Sequence, residues 1–138
     1  MAYNSRGSVL LLVVFLLFFL ALFVIGISQL ASTDFQIAQN NKFSLMAYYV
    51  AEAGIGRSIY ELRQNNNWSA GFNQVQFPIG ANSTYTVAVT NGPGPMVTLN
   101  SLGVVENTYR RRIFVRLMVL PTSVPYPLRI RDYREIAP

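Results

Sequence analysis

One uninterrupted apolar run near the N-terminus constrains this chain more than any other feature. From Val9 to Ile27 no charged or polar side chain occurs, and Gly26 is the only glycine. At about 1.5 Å per residue, a helix of these roughly 19 residues covers nearly 30 Å, the thickness of a bilayer's hydrocarbon core. The run is longer than the apolar region of a cleaved secretory signal, which is typically about 7–15 residues. It therefore predicts a single membrane span, and the alternative that the run leaves open is a plain signal anchor with Arg6 holding the N-terminus in the cytoplasm.

The rest of the composition limits the chemistry available to the chain. Its 138 residues allow one domain beside the span, and they include no cysteine or histidine and six carboxylates. Disulfides and thiolate metal sites are therefore excluded, and the commonest nucleophile–base pairs and metal ligands are missing. We expect neither an enzyme nor a cofactor. The net charge of +5, with Lys42 the only lysine, suggests an anionic partner such as lipid or nucleic acid without identifying it.

The predicted helix continues beyond the membrane segment. No proline occurs from Ser28 to Gln64, and the helix should end at Asn65–Asn67, where asparagine side chains compete for the backbone hydrogen bonds of the helix. Apolar residues at steps of three or four predict the stripe that packs on the rest of the protein: Phe35, Ala38, Leu45, Met46, Tyr49, Ala53 and Tyr60. The sequence thus predicts one helix from Ser8 to about Asn65, half of which a head of about 70 residues cannot bury.

After Trp68 the pattern changes to strands. Residues 73–77, 83–90, 96–102 and 109–120 alternate in polarity and are separated by turn signals such as the Gly/Pro cluster at 91–95. The predicted inward-facing residues are Val75, Phe77, Tyr85, Val87, Val89, Val97, Leu99, Ile113, Val115, Leu117 and Val119. We expect an α+β fold in which the long N-terminal helix packs on an antiparallel sheet of about four strands. The Pro-rich segment 121–138 reads as an extended C-terminal tail.

Two segments resemble type IV pilins, and the match covers about residues 6–57. The junction Arg6-Gly7-Ser8, flush against the apolar run, is similar to the site that prepilin peptidase cuts. The stretch 46–57, with Ala51-Glu52-Ala53-Gly54 at its centre, resembles the motif of the PilX-type minor pilins. The small residues of this motif are also what a helix needs where it crosses a sheet, and Glu52 is then a surface or ion-pair residue.

The resemblance implies a minor pilin or pseudopilin with five segments. These are a leader (1–7), a membrane and filament-core helix (8–31), its continuation (32–67), a β head (68–120) and the tail (121–138). The implied partners are prepilin peptidase, other pilin-like subunits, the inner-membrane assembly platform and the bilayer. After cleavage between Gly7 and Ser8 the chain would pass from the inner membrane into an extracellular pilus or periplasmic pseudopilus. Filament packing would use Leu12, Phe15, Phe19 and Phe23.

The chain departs from major pilins at Leu12, a few residues after the predicted cut. Major pilins carry a glutamate there, which pairs with the terminal amine of a neighbouring subunit. An unpaired carboxylate in hydrocarbon costs a few kcal/mol, so its absence implies that no such pair forms. The PilX-type minor pilins share this absence. The resemblance therefore implies a priming, tip or low-copy subunit.

Arg110, Arg112 and Arg116 should share the face of the last strand that points away from the core. The favoured interpretation is a solvated outer face, or protection of an edge strand against aggregation. The alternative is contact with an anionic partner, including DNA in a DNA-uptake pilin. A single-span anchor whose head is a binding module also remains open.

Overall fold

The computed structural model describes residues 5–137, and for residues 5 and 6 the backbone alone. A long N-terminal helix packs on a five-stranded antiparallel sheet in the order β1-β2-β3-β4-β5, which confirms the predicted α+β fold. The helix is α1 (Ser5–Gln64). The strands are β1 (Phe72–Gln76), β2 (Ser83–Asn91), β3 (Met96–Val105), β4 (Tyr109–Val119) and β5 (Leu128–Ile136). The helix is continuous as predicted and ends at Gln64, just before the asparagine run.

The chain divides into two compact units, residues 1–40 and 41–138. The described part of the first unit is the N-terminal part of α1, whose large apolar side chains from Val9 to Leu30 are all exposed. Among the described residues, α1 is the one helix long and apolar enough to cross a membrane. An apolar surface of this length is stable in hydrocarbon and costly in water. By length and composition, this part of α1 is consistent with a membrane span or a signal anchor.

The second unit holds the sheet, and its core lies between the sheet and α1 from residue 41 onward. The predicted inward-facing residues of β2, β3 and β4 are confirmed, since Tyr85, Val87, Leu99, Val115 and their alternating neighbours are buried. The prediction for Phe77 is wrong. The first strand ends at Gln76, and Phe77, although its backbone N still donates to Ser83 O, has an exposed side chain just before Pro78.

The predicted helix stripe is also wrong. Phe35, Leu45, Met46, Tyr49 and Tyr60 are exposed, and the helix turns a different face to the sheet. That buried face consists of Ala47, Val50, Ala51, Gly54, Ile55, Ser58 and Leu62. Most of these side chains are small, so a search for large apolar residues at helical spacing finds the opposite side of the helix. The helix therefore packs through the face that lets its backbone approach the sheet closely, and not through the face with the largest side chains.

The tail prediction is corrected by β5, which pairs antiparallel with β4 along residues 128–136. Only residues 120–127 form a connection, and its backbone is anchored at two points. Leu120 N donates to Pro127 O, and Tyr126 N donates to Arg63 O in the last turn of α1, each at 2.9 Å. The second bond satisfies a carbonyl that the helix end leaves without an intrahelical partner. The prolines therefore mark a turn between two strands instead of an extended tail.

Candidate functional site

The motif Ala51-Glu52-Ala53-Gly54 lies where α1 crosses the middle of the sheet. Ala51 and Gly54 are buried, Ala53 is half-buried and Glu52 is exposed. A methyl group added at Gly54 would lie 2.6 Å from Ser101 Oγ and 2.9 Å from side-chain carbons of Tyr85 and Val87. These separations are shorter than van der Waals contact, so only glycine fits there. The motif residues that face the sheet set the helix–sheet distance.

Two residues of β3 complete this crossing, and the sequence analysis did not identify either. Gly103 faces the helix backbone, and a Cβ there would overlap Ala47 O. Ser101 Oγ donates to Ala51 O at 2.7 Å. On the helix, Ser58 Oγ donates to Gly54 O at 2.8 Å, so the buried hydroxyls are paired. A glycine inside an otherwise alternating strand is a known sign of close backbone approach, and that signal could have revealed Gly103.

The face of α1 that points away from the sheet carries both polar and apolar side chains, and it is exposed. Glu52 is exposed at its border, near enough to Tyr133 of β5 for its charge to help raise the pKa of that residue, and no basic side chain among the described residues comes within ion-pair distance of Glu52. The large side chains of Leu45, Tyr49 and Tyr60 lie on the outward face, 54%, 57% and 61% exposed. We call these three the outer stripe. The outer stripe is thus apolar surface that the described part of the chain leaves uncovered.

The predicted cleavage junction, Gly7-Ser8, lies inside α1, which begins at Ser5. A Cβ at Gly7 would meet nothing within 4 Å, so no packing demand explains a glycine there. Residues 1–4 of the predicted leader lie outside the described residues. The structure thus gives Gly7 no structural role within the chain itself.

The predicted filament-packing residues are exposed in the apolar half of the helix. Leu12, Phe15, Phe19 and Phe23 all project from the helix without cover, and the rings of Phe15 and Phe19 are 4.9 Å apart. At Gly26 the helix surface has a shallow apolar notch of about 430 Å³. Its lining consists of Phe19, Leu22, Phe23, Gly26, Ile27 and Leu30. A small residue flanked by large ones is the shape that lets a neighbouring helix approach closely in a membrane.

The arginines of β4 lie where alternation predicted. Arg110, Arg112 and Arg116 occupy the face opposite Ile113, Val115 and Leu117, which are buried against the helix. The edge-protection interpretation is wrong, because β4 is not an edge strand. It is paired with β3 on one side and with β5 on the other.

The strand β5 adds three more arginines to this face. In the antiparallel register of β4 and β5, Arg134 lies opposite Phe114 and Arg129 lies opposite Met118. The side chains of Phe114 and Met118 point away from the helix. Arg131 lies at a bulge and its Nη2 is 3.9 Å from Met118 Sδ, on the same face. We call the six side chains the arginine face: Arg110, Arg112, Arg116, Arg129, Arg131 and Arg134. The sequence predicts only the three arginines of β4, because residues 121–138 resemble an extended tail.

One ring lies at the centre of the arginine face. The guanidinium carbon of Arg134 is 4.9 Å from the centre of the Phe114 ring, and that of Arg116 is 5.8 Å away. These are cation–π distances. Asp132 Oδ2 is 3.6 Å from Arg134 Nε, and Asp132 is the one carboxylate in the described chain that pairs with this face.

The opposite side of β4 and β5 holds a separate polar cluster against α1. Arg111 donates through Nε to Ser44 Oγ at 2.8 Å and through Nη1 to Glu135 Oε1 at 2.9 Å. The hydroxyls of Tyr48 and Tyr133 are 3.4 Å apart. Partial burial, and next the contact with Tyr48, raise the pKa of Tyr133. Arg111 thus links Ser44 of α1 to Glu135 of β5, and Tyr48 contacts Tyr133, so this cluster secures β5 to the helix.

One cleft of the head, of about 410 Å³, lies at the end of the sheet, and its polar side chains are Asn66, Asn67 and Asn91. Among the described residues, no group of three or more acidic, histidine or cysteine side chains lies close enough together to hold a metal ion. The surfaces that distinguish this chain are therefore the apolar half of α1, the outer stripe and the arginine face.

Comparisons of the chain with protein-family models, with curated proteins and with solved structures found no match.

Proposed function

We propose that the chain is a minor pilin or pseudopilin, which takes part as a priming, tip or low-copy subunit in assembling a type IV pilus or a related filament. The observation that carries the proposal is that one continuous helix has two different surroundings. Its apolar N-terminal part is exposed throughout, whereas its C-terminal part is packed on an antiparallel sheet through small residues. A subunit of this design lies in lipid first and exchanges lipid for neighbouring helices during assembly.

The packing of the motif supports the resemblance on which the proposal rests. Ala51 and Gly54 lie at the closest approach between helix and sheet, where larger side chains do not fit. The outer stripe of the same helix is open and provides a second surface for neighbouring subunits. In this proposal Gly7 is retained for recognition by prepilin peptidase, which explains a glycine without packing contacts. Before assembly the subunit lies in the inner membrane with its N-terminus in the cytoplasm.

The test is the mature N-terminus. The full chain is co-expressed with a prepilin peptidase, purified in detergent and measured by intact-mass spectrometry. We expect loss of residues 1–7 and methylation of the new amine of Ser8. A Gly7→Leu variant is the matched control, because its helix and span are unchanged. It should stay uncut, since in this proposal the peptidase recognises Gly7. An intact Met1 in the wild-type chain, or a cut near Ala31, would refute the proposal.

A further inference from the structure

We infer that the arginine face is a binding surface for the phosphate backbone of nucleic acid. The inference concerns the head alone and does not depend on filament assembly. It rests on the pairing of β4 with β5, which brings six guanidinium groups onto one side of two adjacent strands. With Asp132 as the single carboxylate there, the formal charge of this face is +5.

The arrangement of these charges suits a linear polyanion. Neighbouring strands lie about 4.8 Å apart, and residues two apart on one strand are separated by about 7 Å. Arg110 to Arg116 therefore extends over about 20 Å, with a second row from Arg134 to Arg129 alongside. Two parallel rows of positive charge can neutralise several successive phosphates of one strand. Release of their counterions then supplies most of the binding free energy.

Most of the guanidinium groups are open to solvent. Arg110, Arg116, Arg129, Arg131 and Arg134 are exposed, and Arg134 alone among the six has a carboxylate partner within the described chain. Arg116 and Arg134 lie over the ring of Phe114, which supports both side chains from one side. An exposed arginine is a bidentate phosphate donor. Neutral hydrogen-bonding side chains continue the surface, because Thr98 and Asn100 of β3 pair with Arg116 and Phe114.

The composition of the face favours nucleic acid over a lipid surface. Protein surfaces that bind the bilayer interface combine basic residues with exposed large apolar side chains that enter the acyl region. On the arginine face the large apolar side chains of Leu102, Phe114, Met118 and Ile136 are only partly exposed, and the ring of Phe114 lies under Arg116 and Arg134. The membrane anchor of the chain is a separate element. A phosphate polymer needs charge and hydrogen-bond donors, which this face has.

The test uses the full chain held in nanodiscs of zwitterionic lipid, so that the span is occupied and the disc carries no net charge. The probe is a fluorescent single-stranded deoxyoligonucleotide of mixed sequence, and anisotropy gives its affinity at several salt concentrations. The test variant is Arg116→Gln with Arg129→Gln, two exposed residues of the face. The matched control is Lys42→Gln with Arg63→Gln, which removes the same charge from exposed positions of α1.

We expect affinity to fall steeply with salt and to show little dependence on sequence. The slope should decrease by up to about 1.4 in the test variant, which amounts to a change of about sevenfold between 50 and 200 mM salt. The control variant should keep the wild-type slope. Circular dichroism checks folding, and if the double variant is misfolded, Arg129→Glu alone replaces it and should weaken binding more than Arg129→Gln.

Three outcomes would overturn the inference. The first is absence of binding to the oligonucleotide at low salt. The second is an equal loss of affinity in the test and control variants, which would assign binding to net charge and not to this face. The third is co-sedimentation of the nanodisc-held head with phosphatidylserine vesicles that excess oligonucleotide does not reverse, which would assign the face to lipid.

Discussion

Ser101 Oγ donates a hydrogen bond to the carbonyl oxygen of Ala51 at 2.7 Å, and both residues are fully buried. The bond joins the middle of β3 to the C-terminal part of α1, next to Gly54 and Gly103. A hydroxyl can reach a helical carbonyl only where the two backbones lie close together. The helix–sheet contact of this protein is therefore built from small and hydrogen-bonding residues, and its stability should depend on their size.

Two glycines of one helix should respond to alanine with opposite signs. Gly54→Ala places a methyl group 2.6 Å from Ser101 Oγ and should destabilise the head by about 1–3 kcal/mol, as overpacking of a core does. Gly56→Ala meets nothing within 4 Å and should stabilise α1 by up to about 1 kcal/mol through helix propensity. Thermal unfolding followed by circular dichroism, with the full chain in one detergent, measures both. Equal shifts in the two variants would contradict the packing described for Gly54.

How much of this could be read from the sequence differs between the elements. The C-terminal end of the helix followed from the asparagine run at 65–67, whereas the helix begins at Ser5 and not at the predicted Ser8. The inward-facing residues of β2, β3 and β4 followed from periodicity, because large β-branched and aromatic side chains alternate there. The helix face did not follow. Leu45, Tyr49 and Tyr60 have larger apolar side chains than Ala47, Ala51 and Gly54 and so dominate the sequence pattern. The small residues are nevertheless the ones that pack on the sheet, because larger side chains do not fit there. A steric constraint imposed by β3 is not visible in the helix sequence alone.

The strand β5 was missed for a different reason. Its residues carry five charges among nine positions, namely Arg129, Arg131, Asp132, Arg134 and Glu135. Such a segment resembles a solvated tail when it is considered alone. Its pairing is favoured by the helix-side contacts of Leu128, Tyr133 and Glu135, which depend on partners far away in sequence. The arginine face could be predicted in part from β4, and its other half required the tertiary pairing.

Removal of β5 tests its assignment as a structural strand. A chain ending at residue 127 exposes the backbone edge of β4 and uncovers the side of Leu117 and Val119 that faces Leu128 and Ile130. We expect lower thermal stability and association through the open edge, because an unpaired strand recruits another chain. Size-exclusion chromatography in detergent measures association, and a chain ending at Ile136 is the control. An unchanged, monodisperse head after the longer truncation would restore the tail interpretation.

Alkaline pH should weaken the contact between β5 and α1. The pKa of Tyr133 is raised by partial burial and by its contact with Tyr48, so the folded protein holds this proton more tightly than the unfolded chain. A group with a raised folded pKa contributes stability below its unfolded pKa, here about 10, and that contribution is lost as pH rises toward the folded value. The melting temperature should therefore fall above about pH 10, and less steeply in Tyr133→Phe. The same alkaline decline in both proteins would show that Tyr133 does not contribute to it.

The last prediction concerns self-assembly and rests on Leu12, which is exposed on the apolar part of α1. If the chain is a minor pilin as proposed, Leu12 occupies the position at which major pilins have a glutamate that pairs with a neighbour's terminal amine. Without that carboxylate each contact loses a hydrogen bond to a charged group, worth about 1.5–3 kcal/mol. The wild-type chain expressed alone should therefore remain in the membrane as monomers or small complexes, and with other pilin-like subunits it should enter sheared filaments at low abundance. Quantitative immunoblotting of the sheared fraction measures its copy number relative to the major subunit.

Leu12→Glu should insert into the membrane normally, since one carboxylate costs only a few kcal/mol in a long apolar helix, and should increase incorporation along the filament. Leu12→Gln is the control, because it introduces a polar group without the charge. Long homopolymers of the wild-type chain, or a copy number equal to that of the major subunit, would mean that other contacts replace the missing carboxylate.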